Sequence, residues 1–190
     1  MALVLKTAPA SEPVSLNETK LHCRVDHNTE DTLITNVITA ARIYCEKQQN
    51  RAFITQTWYL YLDRFPNKDY IDIPLPPLQS VTSVLYYSTD DTENTLLTDD
   101  YDVDINSFVG RVHLKYGKTW PSEVLRPSNA VKIELICGYG LAAAVPQNIK
   151  QAMLLLIAHW YGNRESVMVG AVSKPLEMAV DALLGFERVW

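Results

Sequence analysis

The sequence predicts an α+β fold: N- and C-terminal helices packed as a helical bundle, with an inserted, mostly antiparallel β region. Three observations predict it. Apolar residues recur every three or four positions after residue 29 and again after residue 146, each time marking one face of a helix. Between those stretches, residues 52–138 are rich in Thr, Ile, Val, Trp and Tyr, and parts of them alternate. Helices, then strands, then helices in separate blocks indicate α+β rather than a β-α-β repeat. No internal repeat or low-complexity tract interrupts this order.

Residues 1–14 carry Pro9 and Pro13 and no periodicity, and are expected to form a flexible arm. Residues 15–190 are expected to form one domain: helical over 15–50, a β lobe over 52–138, and helical again over 145–190. Ser15 followed by Glu18 is a capping box, so a short helix is predicted over 16–23. The residues 26–28 break it and supply a cap for the next helix. There Leu33, Ile34, Val37, Ile38, Ala41, Tyr44 and Cys45 share a face, with an end near residue 49.

Strands are predicted over 53–62, 71–73, 81–87, 101–105, 111–116 and 131–137, with residues 88–94 as a loop tip. In the last strand Val131, Ile133, Leu135 and Cys137 face one way, and Lys132, Glu134 and Ile136 the other. Pro146 suits a first helical turn, Ile149 to Trp160 carry an apolar stripe, and Gly162 is the expected stop. Ser173 caps a last helix from 174 to about 186, with Leu176, Ala179, Val180, Leu183 and Leu184 on its apolar side. Neither set of helices buries its stripe easily alone, which is why the two sets are expected to pack together.

Composition narrows the function classes. The chain has 190 residues, enough for a real core, and 47% of them are apolar. A net charge of −5 argues against a surface built throughout to grip nucleic acid. Three cysteines without a close pair suit a reducing cytoplasm rather than a disulfide scaffold. The first residues lack the features of a secretion signal, and the apolar run 152–158 is too short to span a membrane. A soluble protein made in the cytoplasm is expected.

Several residues resemble fragments of known sites. Gly117-Lys118-Thr119 looks like the end of a phosphate loop, but Val112 stands where a glycine is needed and Trp120-Pro121 opposes a helix start. Asp100, Asp102 and Asp104 alternate as calcium ligands do, but Ile105 and Arg111 replace the required glycine and glutamate. Cys23 and His27 lack a second pair at metal spacing, and His22 and His113 do not provide one. Cys23 or Cys137 with His159 is a nucleophile pair on paper, yet Cys137 lies on an apolar strand face. Trp58, Tyr59 and Tyr61 invite base stacking, but their strand carries no interleaved cation before Arg64, so they are read as sheet core. No catalytic, cofactor or metal set is predicted.

An ordered series of phrases says more. They are S-L-N-E-T-K-L-H-C-R-V-D-H-N-T-E-D-T-L-I at 15–34, F-I-T-Q-T-W at 53–58, I-P-L-P-P-L-Q-S-V at 73–81, Y-G-K-T-W-P at 116–121 and G-Y-G at 138–140. V-P-Q-N-I-K-Q-A-M-L-L-L-I-A-H-W-Y-G-N-R-E follows at 145–165. The series resembles the head–tail connector, or adaptor, proteins of long-tailed bacteriophages and prophages. The resemblance implies a non-enzymatic protein without a cofactor. It would form a ring under the portal, extend the DNA channel without sequence-specific binding, and meet a stopper or tail-completion protein. Its place would be the host cytoplasm during assembly and then the virion neck; the alternatives are a stopper-type protein or an enzyme with an unrecognised site. Compact relatives are almost wholly helical, so the β insertion is a departure. By the same resemblance the C-terminal stretch would grip the portal, with Phe186, Val189 and Trp190 as anchors. Arg164 and Glu165 are the candidates for a contact across a subunit boundary.

Overall fold

Ser15 begins the first helix as the capping-box pattern requires: its hydroxyl accepts from the Glu18 amide at 3.2 Å, and the Glu18 carboxylate accepts from the Ser15 amide at 2.7 Å. From this start the computed structural model describes residues 1–164 and 174–185. They are α+β, with all ladders antiparallel, and divide into two compact units. One unit is Met1–Ala10 with Thr55–Tyr139; the other is Ser11–Ile54 with the described residues from Gly140 onward.

The helical unit contains α1 (Leu16–Cys23), α2 (Asp31–Gln49), α3 (Gln147–Gly162) and α4 (Lys174–Leu184). Arg24 and Asn50, both in the left-handed region, end α1 and α2. Ile34, Ile38, Ala41 and Cys45 of α2 are buried, as are Ile149, Ala152, Met153, Leu156 and Ile157 of α3. Each large apolar side chain so buried contributes about 1.5–3 kcal/mol before entropy is counted. The α3 helix contacts both α2 and α4. Asn148 donates to the carbonyl of Leu183 at 2.9 Å, and Gln49 to that of Leu184 at 2.7 Å.

Details here differ from the sequence reading. The α2 N-cap is Glu30 rather than a residue in 26–28, and no side chain caps it. Ala179, expected on the apolar side of α4, is exposed, while Val180 and Leu184 are buried. Phe53 and Ile54, expected in a strand, belong to the helical unit. The Phe53 amide donates to Glu46 at 2.8 Å, which keeps this backbone at the end of α2 and delays the strand to Gln56.

The β unit holds two sheets. The larger has five strands in the order β1 (Ala2–Thr7), β2 (Gln56–Leu62), β8 (Val131–Cys137), β4 (Leu78–Tyr87) and β5 (Glu93–Thr95). The smaller has three, β3 (Tyr70–Asp72), β7 (Arg111–Leu114) and β6 (Tyr101–Asp104). The alternation of β8 is as expected: Val131, Ile133, Leu135 and Cys137 are buried and the residues between them are not. Leu60, Val84, Ile71, Ile73 and Val112 are also fully or nearly buried.

Residues 1–14 are not a free arm throughout. Ala2–Thr7 is paired along β2, with Val4 opposite Tyr59 and Leu5 opposite Trp58. An edge strand exposed on both faces has no reason to alternate, so the sequence carries no period there. Strand β5 lies inside the expected loop 88–94 and one residue beyond it, for the same reason.

Candidate assembly surfaces

Arg164 is the one predicted interface residue within the described part of the chain; Glu165, Phe186, Val189 and Trp190 lie outside it. Its guanidinium is not simply a solvated helix-end charge. It makes a 2.8 Å ion pair with Glu30, donates to the carbonyl of Tyr161 at 3.3 Å, and lies 4.8 Å from the centre of the Tyr161 ring. The Tyr161 hydroxyl also donates to Glu30. The Glu30 carboxyl is therefore held below its ordinary range, first by the Tyr161 hydroxyl and then by Arg164. This cluster ties the end of α3 to the start of α2. No local signal in the sequence pairs residue 30 with residue 164.

The fragments of known sites are each used otherwise. Gly117 has φ of 77° in a turn, and Lys118 reaches Asp100 at 2.6 Å. Trp120 stacks on Phe65 with ring centres 5.0 Å apart, and its indole donates to the carbonyl of Lys68. Asp102 lies 3.7 Å from Lys115, and Asp104 accepts from the amides of Asn106 and Ser107. The three aspartates thus do not converge. His27 meets the Thr29 hydroxyl, and Cys23 is half-buried. Burial pushes the thiols of Cys45 and Cys137 up to about 12, so neither is a ready nucleophile at neutral pH.

The aromatic strand needs a correction. Leu60 is buried, but Trp58, Tyr59 and Tyr61 are only half-buried. Tyr59 and Tyr61 share a face of the sheet with Lys132 and Glu134 of β8, because Tyr59 pairs with Glu134 and Tyr61 with Lys132. Lys6 and Lys132 lie 5.1 and 4.5 Å from the Tyr59 ring centre, and Lys6 makes a 2.6 Å ion pair with Glu134. Cations do interleave with the tyrosines, but they come from β1 and β8, where reading along β2 alone misses them. On the same side Arg126 lies 4.0 Å from the Tyr87 ring, whose hydroxyl is pushed up to about 12 by its hydrogen bond to Glu93. Beside it opens a cleft of about 530 Å³ lined by Arg64, Phe65, Pro121, Leu125 and Pro127. These are surfaces of paired charges and aromatic rings, suited to protein contact. Among the described residues no His, Cys, Asp and Glu side chains gather as a metal site, and no helix is long and apolar enough to cross a membrane.

Comparison with known folds agrees along the whole chain. A chain from the neck of the empty gene transfer agent (GTA) particle, computed with C6 symmetry, superposes with a TM-score of 0.84 at 22% identity, covering 100% of this chain and 96% of that one. A chain of the native GTA virion gives 0.83 at 23%, and one from the native GTA neck computed with C12 symmetry gives 0.82 at 22%, each with the same coverage. At such identities the likeness establishes the fold. No curated protein matches significantly. A family model does: that of the head completion proteins matches residues 13–171. Four-fifths of the sequence therefore follows one family's pattern, and the chain belongs to the head completion protein family, structural proteins of the head–tail junction.

Proposed function

We propose that the protein assembles as a ring under the portal of a tailed phage or prophage, extends the DNA channel, and offers its far side to a stopper or tail-completion protein. The observation that carries this reading is the family match over 13–171 on a fold shared from end to end with chains of the GTA particle. Those relatives sit in a neck computed with C6 or C12 symmetry, which supports a ring here. A ring requires two different faces on each subunit. Within the subunit, the helices pack as a bundle. The β unit is the addition that compact helical connectors lack.

On this reading the protein is made in the host cytoplasm and ends in the virion neck. It works without catalysis or a cofactor, and DNA slides past without sequence-specific contact. The last residues, with Phe186, Val189 and Trp190, anchor it to the portal, and Arg164 with Glu165 stands at the boundary between neighbours.

The test is co-sedimentation with the cognate portal assembly, followed by negative-stain imaging. A ring of added density beneath the portal is the expected result. Absence of binding to a well-formed portal would overturn the placement and direct attention to a later neck protein. Removal of residues 186–190 should abolish portal binding, and unchanged binding would refute that anchor.

A further inference from the structure

The five-stranded sheet ends in two unlike edges. On one side lies β1, where Ala2, Val4, Leu5, Lys6 and Thr7 are exposed, with Val4 at 48% and Leu5 at 44%. Exposed edges invite pairing, and proteins usually guard them with charge, proline or a bulge. The first four residues of β1 have none of these: the irregularity comes only between Leu5 and Thr7. The strand's one charge, Lys6, is turned along the sheet face onto Glu134.

The opposite edge is β5. The Ser88 amide donates to the Thr92 carbonyl, and the Leu96 amide donates to the Val84 carbonyl. Even-numbered residues of this strand therefore direct their backbone groups toward β4. Strand alternation turns the N–H and C=O of Glu93 and Thr95 outward, where both residues are exposed. This edge and its turn carry Asp90, Asp91 and Glu93, whereas β1 carries a single lysine and no acid.

We propose that neighbouring copies join edge to edge, β1 of one against β5 of the next, so that the five-stranded sheets run on continuously from subunit to subunit. The inference rests on the ring reading above and names the surface that closes the ring. Three observations support a second copy as the occupant. The two edges are different, as a head-to-tail ring requires. Their charged residues are opposite in sign: Lys6 of β1, which also meets Glu134 of its own sheet, against Asp90, Glu93 and the Arg126-paired Asp91 at β5. They are also in phase: the registers place Val4 and Thr95 on the same face of the sheet, through Tyr59, Glu134, Lys132 and Leu85. Joining them would extend the half-buried face of Tyr59 and Tyr61 into a belt.

The experiment uses the full chain bound to its portal, with Cys23→Ser as background. Val4→Cys and Thr95→Cys are introduced singly and together, then treated with a short bis-maleimide. The double variant should give a ladder of cross-linked species rising to the ring's copy number, the two single variants mixed should give dimers, and each alone should give none. Rings visible by imaging without a ladder would overturn the proposal, as would cross-linking of Val4→Cys to the portal instead. If the unsubstituted chain forms no ring at all, the ring reading fails first and this interface falls with it.

Thr95→Pro separates the interface from stability. The Thr95 N–H points away from β4, so proline there removes no hydrogen bond within the subunit. The melting temperature and far-ultraviolet circular dichroism should match the parent, while ring yield should fall at least tenfold. An undiminished yield would also overturn the proposal.

Discussion

Arg42 Nε donates to Glu12 across 2.7 Å, joining the segment before α1 to the middle of α2. The Arg42 side chain is 9% exposed, and its Nη1 reaches Glu46 at 2.7 Å. Thr39 also donates to Glu12. A cation so enclosed depends on both carboxylates. Glu12→Ala should cost about 2 kcal/mol, the scale of hydrogen bonds to charged groups. The check is the urea midpoint, which should fall with an unchanged m-value.

Acid should weaken the helical unit in a defined way. Glu18 is held below its ordinary value of 4.5 by the Ser15 amide first and the Ser15 hydroxyl second. Glu30 is lowered by the Tyr161 hydroxyl and then Arg164. A carboxyl whose folded value lies below its unfolded one adds stability that is present above the unfolded value and is lost as the pH falls through the folded one. Urea midpoints should therefore drop below about pH 4.5. Tyr161→Phe should be less stable at neutral pH and should lose less on acidification. An identical acid slope in parent and variant would refute the role given to Tyr161.

Gly110 lies where the turn after β6 enters β7, and its carbonyl accepts from the Ile73 amide at 2.8 Å. A Cβ there would stand 2.6 Å from both Cβ and Cδ2 of Leu78. Gly110→Ala should cost about 1–3 kcal/mol, the usual range for overpacking. Leu78→Ala alone also destabilises, by leaving a cavity, so the two changes together should cost less than their sum. Additive losses in thermal melts would show that the two side chains do not compete for the same space.

The thiols should separate in reactivity. Cys23 is half-buried, whereas Cys45 and Cys137 are 0% exposed and pushed up to about 12. An aromatic disulfide reagent at neutral pH should titrate Cys23 alone until denaturant is added. Rapid modification of all three in the native protein would contradict the buried positions of β8 and α2.

What the sequence reveals depends on whether a residue's neighbours lie close in the chain. The capping box of Ser15 and Glu18, the alternation of β8 and most of the α2 stripe are local patterns that reappear in the structure, though Leu33 and Tyr44, expected on that stripe, are exposed. Strands β1 and β5 are edges exposed on both faces, so no burial pattern marks them. The tyrosines of β2 look like core because aromatic residues usually are. The lysines that make their face half-open arrive from β1 and β8. Arg164 likewise shows its use only once folding brings Glu30 beside it. The family phrases are legible from about residue 13 to residue 165, within the 13–171 that the family model matches, but the pairing of sheet edges has no phrase of its own.

The order of strands also has a consequence during synthesis. Leu5 pairs with Trp58, and Trp58 in turn with Leu135. A ribosome adds roughly 5–20 residues per second, so β1 waits seconds for its partner and longer for the strand that completes the sheet's middle. During that delay Leu3, Val4 and Leu5 form an unpaired apolar segment. A lysine immediately downstream, at residue 6, is the kind of gatekeeper that slows premature association.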